Sequence, residues 1–404
     1  MPAMKNKNTY ISLTSALLMG LYWFGNAFIL TYASIFLLDK GLNNTQIGLV
    51  LSVGGILSIL FQGIPSSLAD RFDRVSLKLI MCLFLIMELA LAGGIYFHSG
   101  NKPLLMAEYA LLEGADWAFL AFINAASMEY ENHGCHINFS VVRSFGSLFY
   151  GISTLMLGLL SNRFGLGFLI PCLILVRVIT LINVLLMKNT RKSGSSKRHQ
   201  PAASGYLSFF REHPKLPLLL FGFFCLWMSG TSTNNYLIHI VHKAGGNNAA
   251  MGFISSTSAW MEVPFMLLCG FLLKKYSCTS LLQISSFFYI LKPSILLLAS
   301  NIPMAALGQY MQGPSYAIFT IASVYYMNHM VDSKDNAKAQ AILGICTKGL
   351  SSIIANLVSG IILDRLGING MLTFCLFCTI CGFCTIQFVT RTQVPKHSGN
   401  FCQS

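Results

Sequence analysis

Gly158-Leu-Leu-Ser-Asn-Arg-Phe-Gly165 closes one long apolar run of the sequence, and Gly360-Ile-Ile-Leu-Asp-Arg-Leu-Gly367 closes another run 202 positions later. The chain has 404 residues, so this spacing is half of its length. Self-similarity at a fixed period indicates a duplicated architecture, and membrane proteins with two parallel repeats bind small molecules between the halves, near the bilayer midplane. The repeat therefore predicts a doubled bundle whose functional residues lie in the middle of a membrane.

The composition is that of a membrane protein. Hydrophobic residues make up 54% of the chain and charged residues only 10%, with a mean hydropathy of +0.62. A water-facing surface needs far more charge, so lipid must be the solvent. Apolar runs of about 18 residues or more cross a bilayer as helices, because a helix satisfies its own backbone hydrogen bonds. Twelve such runs are predicted, at 10–38, 45–69, 76–98, 103–128, 139–162, 166–187, 215–241, 248–273, 279–299, 303–329, 338–363 and 368–390.

The positive charges are unevenly distributed between the predicted loops. Of the 27 Lys and Arg residues, eighteen lie in the amino terminus, the even-to-odd connections and the carboxyl terminus, and five lie in the opposite connections. The positive-inside rule therefore predicts cytoplasmic termini and a cell-membrane location, and it accounts for the basic net charge without nucleic acid. The predicted domains are a six-helix bundle at 1–187, a basic cytoplasmic linker at 188–214, a second bundle at 215–390 and a cytoplasmic tail at 391–404.

Eight charged residues fall well inside the predicted helices, away from their ends. A charge in the bilayer core costs about 3 kcal/mol or more, so each one needs a partner or a water-filled cavity. Glu113 and Asp116 are three residues apart on helix 4, which places both carboxylates on one helical face. Two close acids favour proton binding, which suits proton coupling, unless a cation such as Arg177 forms a structural ion pair with them. The eight residues are Glu88, Glu113, Asp116, Arg143, Arg177, Glu262, Lys292 and Lys348.

Two local patterns are suited to binding hydroxyl groups. In Trp260-Met-Glu-Val-Pro264, the Glu262 carboxylate stands beside an aromatic ring and a helix-kinking proline. On helix 5, Tyr150 follows Arg143 by seven residues, so both point from one face about two turns apart. Carboxylates and guanidinium groups bind vicinal hydroxyls, and an aromatic face packs on the C–H side of a sugar ring. Structural roles stay open for Glu262 and for Arg143, which could be a cation that extends its charge towards a helix end.

With these residues the chain resembles the major facilitator superfamily, and within it the oligosaccharide:proton symporter family typified by lactose permease. The resemblance runs along nearly the whole chain and includes Tyr22-Trp-Phe-Gly25 and the loop after helix 2 that ends in Asp70-Arg71. It implies an all-α fold of twelve transmembrane helices in two six-helix halves, with import of a sugar by alternating access coupled to protons. Asp70 and Arg71 would lock the cytoplasmic gate.

The resemblance also implies roles for individual residues in this sequence. Arg143 matches the family's galactoside-binding arginine in context, and Tyr150 stands where the family has a stacking tryptophan. Glu262 matches the specificity glutamate of helix 8. Lys348 falls on the intramembrane lysine of helix 11, and Lys292 falls on an arginine of helix 9.

Several positions depart from the family pattern. On helix 10 the family has a lysine, a histidine and a glutamate that bind and couple the proton, whereas this chain has Gln309, Gln312 and Ser315. The helix 7 aspartates are replaced near Thr233 to Tyr236, so Lys348 loses its family partner. Coupling by the helix 10 route is therefore not expected. The remaining proton-coupling candidates are Glu129, Asp116 and Glu113, with Ala125 as the alternative match to the position of Glu129; the further substrate-binding candidates are Gln309, Gln312 and Asn235.

Other functions remain open from the sequence. A nucleoside or another polar metabolite could be the substrate, transport could be export, and the basic linker could serve signalling in a transporter-like sensor or contact lipid. An enzyme is not expected, because the sequence has no nucleophile elbow, no phosphate loop and no paired metal-ligand spacing. His239 and His242 could chelate a metal, but two ligands are weak evidence. We expect no metal or cofactor and a monomer in the lipid bilayer.

The charge asymmetry predicts the orientation of the loops. A fluorescent protein that folds only in the cytoplasm, fused after Ser404, is expected to be bright, and the same fusion after Lys102 is expected to be dark. Whole-cell fluorescence normalised to protein level measures both. Equal brightness of the two fusions would contradict the predicted topology.

Overall fold

A computed structural model of the chain describes residues 2–71, 76–98, 100–132, 139–187, 209–331 and 335–392. Within these ranges every long regular element is a helix. The α-helices are α1 (Pro2–Asn26), α2 (Ala33–Asp39), α3 (Asn44–Arg71), α4 (Leu77–His98), α5 (Lys102–Asn132), α6 (Phe139–Phe164), α7 (Leu169–Leu186), α8 (Leu216–Asn235), α9 (Leu237–Lys243), α10 (Asn248–Lys275), α11 (Cys278–Leu298), α12 (Ile302–Tyr310), α13 (Ile318–Met330), α14 (Asn336–Gly344) and α15 (Ser352–Thr392).

These helices coincide with the twelve apolar runs of the sequence. Nine stretches in the described ranges are long and apolar enough to cross a bilayer, and the last of them, Lys338–Thr392, kinks at Gly367 and holds two runs. The remaining two runs are α5, which carries buried acids, and the α12–α13 segment, which is interrupted between its two helices. The predicted all-α architecture of membrane-spanning helices is confirmed.

The described helices form two compact units. One consists of Met1–Arg198 with Asn247–Ala259, and the other of His199–Gly246 with Trp260–Ser404. Residues 188–208, which make up most of the predicted linker, and 393–404, which make up most of the predicted tail, lie outside the described residues. The predicted domain limits therefore stay a prediction.

The backbone repeats the duplication that the sequence indicates. Four glycines in the described residues have positive φ: Gly41 at 78°, Gly165 at 77°, Gly245 at 76° and Gly367 at 68°. Gly41 and Gly245 are 204 positions apart, and Gly165 and Gly367, which end the two sequence copies, are 202 apart. A side chain with a Cβ rarely adopts this conformation, so glycine allows the same turn at the same place in each repeat.

Two buried tyrosines mark equivalent interruptions of the first helix in each repeat. Tyr32 lies before α2 and Tyr236 lies between α8 and α9, and both side chains are fully buried. The Tyr32 hydroxyl donates a hydrogen bond to the Thr154 carbonyl at 3.0 Å, and the Tyr236 hydroxyl donates one to the Asn356 carbonyl at 2.9 Å. Buried polar groups require partners in lipid. Each tyrosine thus ties an interrupted helix to another helix of its own unit.

In the described residues, three short π-helical segments interrupt the spans: Ala27–Thr31, Gly313–Ala317 and Ile345–Ser351. Hydropathy gives no sign of them. A π-turn holds one extra residue and therefore rotates the side chains that follow it, and such turns are frequent at functional sites. At Gly313-Pro314 the proline contributes because it has no N–H for the helical ladder.

Close packing within each unit uses small residues and aromatic rings. In the first unit α3 and α5 are in close contact at Gly114. A Cβ added there would lie only 3.1 Å from the Gly54 carbonyl oxygen. In the second unit the Phe319 ring lies 5.0 Å from Phe223 and 5.7 Å from Tyr289, measured between centroids. Van der Waals packing of this kind is the main attraction between helices in lipid.

The two tyrosine contacts should contribute to stability. Tyr32→Phe and Tyr236→Phe each remove a buried hydrogen bond between two helices, which is expected to lower the free energy of unfolding by about 0.5–1.5 kcal/mol. Thermal unfolding of the purified protein in detergent measures the change. Tyr325→Phe is the control, because Tyr325 is 50% exposed. Melting curves of both variants that overlay that of Tyr325→Phe would refute the prediction.

Candidate functional site

Four side chains of the first unit form a group that we call the Trp23 cluster: Trp23, Thr31, Arg143 and Tyr150. The Arg143 guanidinium lies over the Trp23 ring at 4.8 Å from its centroid. The Tyr150 ring meets the Trp23 ring edge to face, with 6.0 Å between centroids. The Thr31 and Tyr150 hydroxyl oxygens are 2.6 Å apart and share a hydrogen bond. The cluster brings together the candidates Arg143 and Tyr150 with two residues of the first membrane span.

Local sequence explains how this cluster forms. A Cβ added to Gly146 would lie 2.5 Å from Trp23 Cδ1, which is closer than two carbon atoms can approach. Glycine at this position therefore allows the Trp23 indole to pack directly against α6. Residues 23, 27 and 30 share one face of an α-helix. Because the π-turn Ala27–Thr31 holds one extra residue, Thr31 occupies the position that Leu30 would have, and its hydroxyl reaches Tyr150.

The Trp23 cluster has hydrogen-bond donors available for a ligand. Trp23 Nε1 is buried and has no hydrogen-bond partner among the described residues. Within the described part of the chain, Arg143 donates one long hydrogen bond, from Nη1 to the Ser147 hydroxyl at 3.4 Å, although a guanidinium carries five N–H donors. Donors beside aromatic faces suit a ring-shaped ligand that carries hydroxyl or carbonyl oxygens.

A second group in the same unit, the Arg177 network, is fully buried: Tyr22, Asn26, Glu88, Asp116 and Arg177. Arg177 Nη2 donates to Asp116 Oδ1, and Arg177 Nε lies 2.6 Å from Glu88 Oε2. Asp116 Oδ2 accepts hydrogen bonds from Asn26 Nδ2 at 2.6 Å and from the Tyr22 hydroxyl at 3.2 Å. The structure thus contains the ion pairs of Arg177 with Asp116 and Glu88.

Around Arg177, the buried carboxyl groups outnumber the buried cations among the described residues. Glu113, one turn before Asp116 on α5, is also buried, at 2% exposure, and its Oε2 has no hydrogen-bond partner among the described residues. It packs against α3, where a Cβ on Gly54 would lie 2.5 Å from Oε2. Three buried carboxyl groups therefore accompany one buried guanidinium. Excess negative charge is costly in a membrane, which favours proton binding by at least one of these acids.

The second unit has its own buried polar group around Lys292, which is 1% exposed. Lys292 Nζ donates to Asn234 Oδ1 at 3.0 Å and to Gln312 Oε1 at 2.6 Å. The Glu262 carboxylate, on α10, interacts electrostatically with Lys292. Lys292 thus donates hydrogen bonds to two neutral amide oxygens, those of Asn234 and Gln312.

The other candidates of the second unit occupy separate surroundings. Gln309 Nε2 donates to the Thr233 carbonyl at 3.1 Å, and Asn235 Nδ2 donates to Asn356 Oδ1 at 2.7 Å. Lys348 lies on the third π-turn with an exposed side chain. Gln312 and Lys292 are therefore in direct contact, whereas Gln309 and Asn235 are bonded elsewhere.

Some predicted residues fall outside the described part of the chain. The structure does not describe the side chains of Asp70, Arg71 and Glu129, so their roles as gate and coupling residues stay predictions. Among the described residues, no three His, Cys, Asp or Glu side chains are grouped so that they could hold a metal ion.

The sequence did not single out four residues of the first span that the structure places at the centre of both groups. They are Tyr22, Trp23, Asn26 and Thr31. Two signals were present: Tyr22-Trp23 is part of the segment that resembles the superfamily, and Asn26 is an amide within an apolar run. Neither signal says which residues of other helices these side chains contact.

Comparisons with known proteins agree with this architecture. A family model described as MFS_1 like family matches residues 16–376. Maltose permease of Geobacillus stearothermophilus is 23% identical over 365 residues, which are 89% of this chain and 90% of that protein. Xanthosine permease of Escherichia coli (strain K12) is 21% identical over 380 residues, 87% of each chain. The crystal structure of the nucleoside transporter NupG has a TM-score of 0.81 at 17% identity, over 94% of this chain and 98% of that one.

The Arg177 network predicts a specific pattern of stability changes. Arg177→Gln leaves two buried carboxyl groups without their cation and is expected to lower the free energy of unfolding by about 3–5 kcal/mol. Adding Glu88→Gln removes one of the two acids and is expected to recover at least about half of that loss, since neighbouring substitutions are not additive. Thermal unfolding in detergent measures both variants.

Arg365→Gln serves as the control because Arg365 is exposed. The ion-pair interpretation fails if the second substitution adds to the destabilisation instead of relieving it.

Proposed function

The chain belongs to the MFS_1 like family, and from this membership we propose that it imports a sugar, in particular an oligosaccharide, across the cell membrane by alternating access with proton coupling. It is a multi-pass membrane protein and a secondary transporter of polar metabolites, as are the permeases that it resembles, and it is not an enzyme. The membership in the major facilitator superfamily that the sequence predicts is confirmed. The assignment to the oligosaccharide:proton symporters remains part of the proposal.

The observation that supports a sugar is the Trp23 cluster. A pyranose ring has one face of C–H groups, which packs on an aromatic ring, and an edge of hydroxyls, which accept hydrogen bonds from a guanidinium. Arg143, Trp23 and Tyr150 offer these groups within one set of contacts. The relative named maltose permease transports a sugar according to its name, which agrees with this choice.

Proton coupling is supported by the excess of buried acid in the first unit. Among the described residues of this unit, Glu88, Glu113 and Asp116 are buried together with one buried cation, Arg177, so a proton can bind without leaving a positive charge in the core. We assign coupling to Asp116, with Glu113 as the neighbouring acid. Both termini are proposed to be cytoplasmic, the protein to act as a monomer, and Asp70 and Arg71 to close the cytoplasmic side.

A nucleoside is the second candidate substrate. Xanthosine permease and the nucleoside transporter NupG bind nucleosides according to their names, and the chain is similar to both. The indole of Trp23 and the ring of Tyr150 can also contact a planar base, while Arg143 can bind a carbonyl oxygen or ribose hydroxyls.

Uptake into cells that express the protein distinguishes the two candidates. We expect accumulation of labelled maltose, lactose, melibiose or raffinose rather than labelled xanthosine or uridine, and a protonophore is expected to abolish it. Arg143→Ala is expected to lower the initial rate about 10-fold or more, because a charge-assisted hydrogen bond contributes about 1.5–3 kcal/mol.

Arg163→Ala is the matched control. Arg163 lies on the same helix α6, and its guanidinium is 5.4 Å from the centroid of the neighbouring Phe164 ring, but its side chain is exposed. Accumulation of nucleosides alone would replace the sugar by the second candidate. Uptake that resists the protonophore would remove proton coupling, and equal loss in Arg163→Ala and Arg143→Ala would remove the binding role of the Trp23 cluster.

A further inference from the structure

We infer that Asn26 is the residue that detects whether Asp116 carries a proton and that the π-turn following Asn26 transmits this state to the Trp23 cluster. This inference rests on the proposed proton coupling and names the positioning residue through which proton and substrate are linked. Asn26 is neutral, and it is the last residue of α1 before the π-turn Ala27–Thr31.

The amide of Asn26 is half satisfied in the structure. Its side chain is fully buried, and Nδ2 donates to Asp116 Oδ2 at 2.6 Å. Its Oδ1 is buried without a hydrogen-bond partner among the described residues. A buried carbonyl oxygen without a hydrogen bond destabilises the folded protein, so its retention next to an acid calls for a state in which that oxygen is used.

Protonation of Asp116 creates that state. An ionised carboxylate only accepts hydrogen bonds, whereas a protonated carboxyl also donates one. When a proton binds Oδ2 on the side that faces Asn26, it displaces the N–H of Asn26 from that lone pair, and the new O–H needs an acceptor. A half-turn of the amide exchanges its two ends, which have nearly the same shape, and Oδ1 then accepts from the Asp116 hydroxyl.

The Tyr22 hydroxyl at 3.2 Å can adapt as well, because it either donates to Oδ2 or accepts from it. Arg177 stays bound to Oδ1 in both states, so its ion pair with Asp116 is reduced to a hydrogen bond and its contact with Glu88 remains. No atom other than the proton enters or leaves the network.

The charged and titratable groups around Asp116 come from three neighbouring elements and from its own helix. One of them, Tyr22, is on the same helix as Asn26, four residues before it. They are Tyr22 on α1, Glu88 on α4, Arg177 on α7, and Glu113 and Tyr109 on α5.

The first span connects this network with the Trp23 cluster. Tyr22 and Asn26 are four residues apart and face Asp116, whereas Trp23 and Thr31 contact Arg143 and Tyr150. The Tyr22 and Trp23 rings also touch edge to face, at 5.4 Å between centroids.

The π-turn lies between Asn26 and Thr31 and determines the position of the Thr31 hydroxyl. A π-turn has one surplus residue and is easily shifted along a helix. A change in the contact of Asn26, which directly precedes the turn, can therefore alter the bond between Thr31 and Tyr150. Proton binding at Asp116 would in this way change the affinity of the Trp23 cluster for substrate, as linkage between two sites requires.

The first test does not depend on transport. Infrared difference spectra of the purified full chain between acidic and alkaline pH are expected to show the carboxyl C=O band of a buried protonated acid. Asp116→Asn is expected to remove that band, and Asn26→Leu to move it to higher wavenumber, because the hydrogen bond from the carboxyl is lost. An unchanged band in either variant would overturn the inference even if the protein transports sugar.

The second test uses the labelled sugar or nucleoside that the wild-type protein accumulates. Asn26→Leu is expected to reduce accumulation to the level of protonophore-treated cells, to keep substrate exchange within about 3-fold of wild type, and to make the KM of uptake independent of pH. Tyr22→Phe, which keeps the ring, is expected to show the same defect to a smaller degree. Asn183→Leu is the control, since Asn183 is also a buried amide of the first unit whose Oδ1 has no hydrogen-bond partner in the described ranges.

The outcomes distinguish a failure of the role inferred for Asn26 from a failure of the proposed transport function. Loss of exchange and accumulation in equal measure, with Tyr22→Phe identical to wild type, would assign Asn26 a purely structural role and overturn the inference. A wild-type protein that accumulates no substrate would refute the proposed function, while the infrared band would still decide whether Asn26 responds to Asp116.

Discussion

Arg177 compensates buried negative charge in a part of the protein where neither water nor a lipid headgroup can do so. Without this cation, Glu88 and Asp116 would face each other across α4 and α5 at low dielectric, and both would have to be neutral. With it, the two acids and the first span are held by one set of bonds. The positions of α1, α4, α5 and α7 in the first unit depend on this interaction.

The same interaction gives the first span two different faces. One face bonds to Asp116 through Tyr22 and Asn26, and the other carries Trp23 and Thr31 against α6. One span therefore contacts both groups directly, so the coupling that we propose between proton binding and substrate binding needs no long chain of contacts.

The fold was largely predictable from the sequence, and the site was not. Hydropathy located the helices, and the spacing of Gly158 and Gly360 indicated the repeat, since both signals are local. The candidates Arg143 and Tyr150 were found from their spacing on one helix. Their partner Trp23 was not, because it belongs to another helix, and the three π-turns could not be seen because a single extra residue leaves hydropathy unchanged.

By itself the sequence determined that this is a duplicated, all-helical membrane protein and which ionisable residues its helices carry. Composition and repeats are sums over neighbouring residues, so no tertiary information is needed to see them. Only the tertiary structure decided that Arg177 pairs with Glu88 and Asp116, that Lys292 bonds to Gln312, and that Asn26 meets an acid. Those partners lie on different helices, and the strength of a hydrogen bond or ion pair depends on distance in space and on burial, neither of which is written in residue spacing.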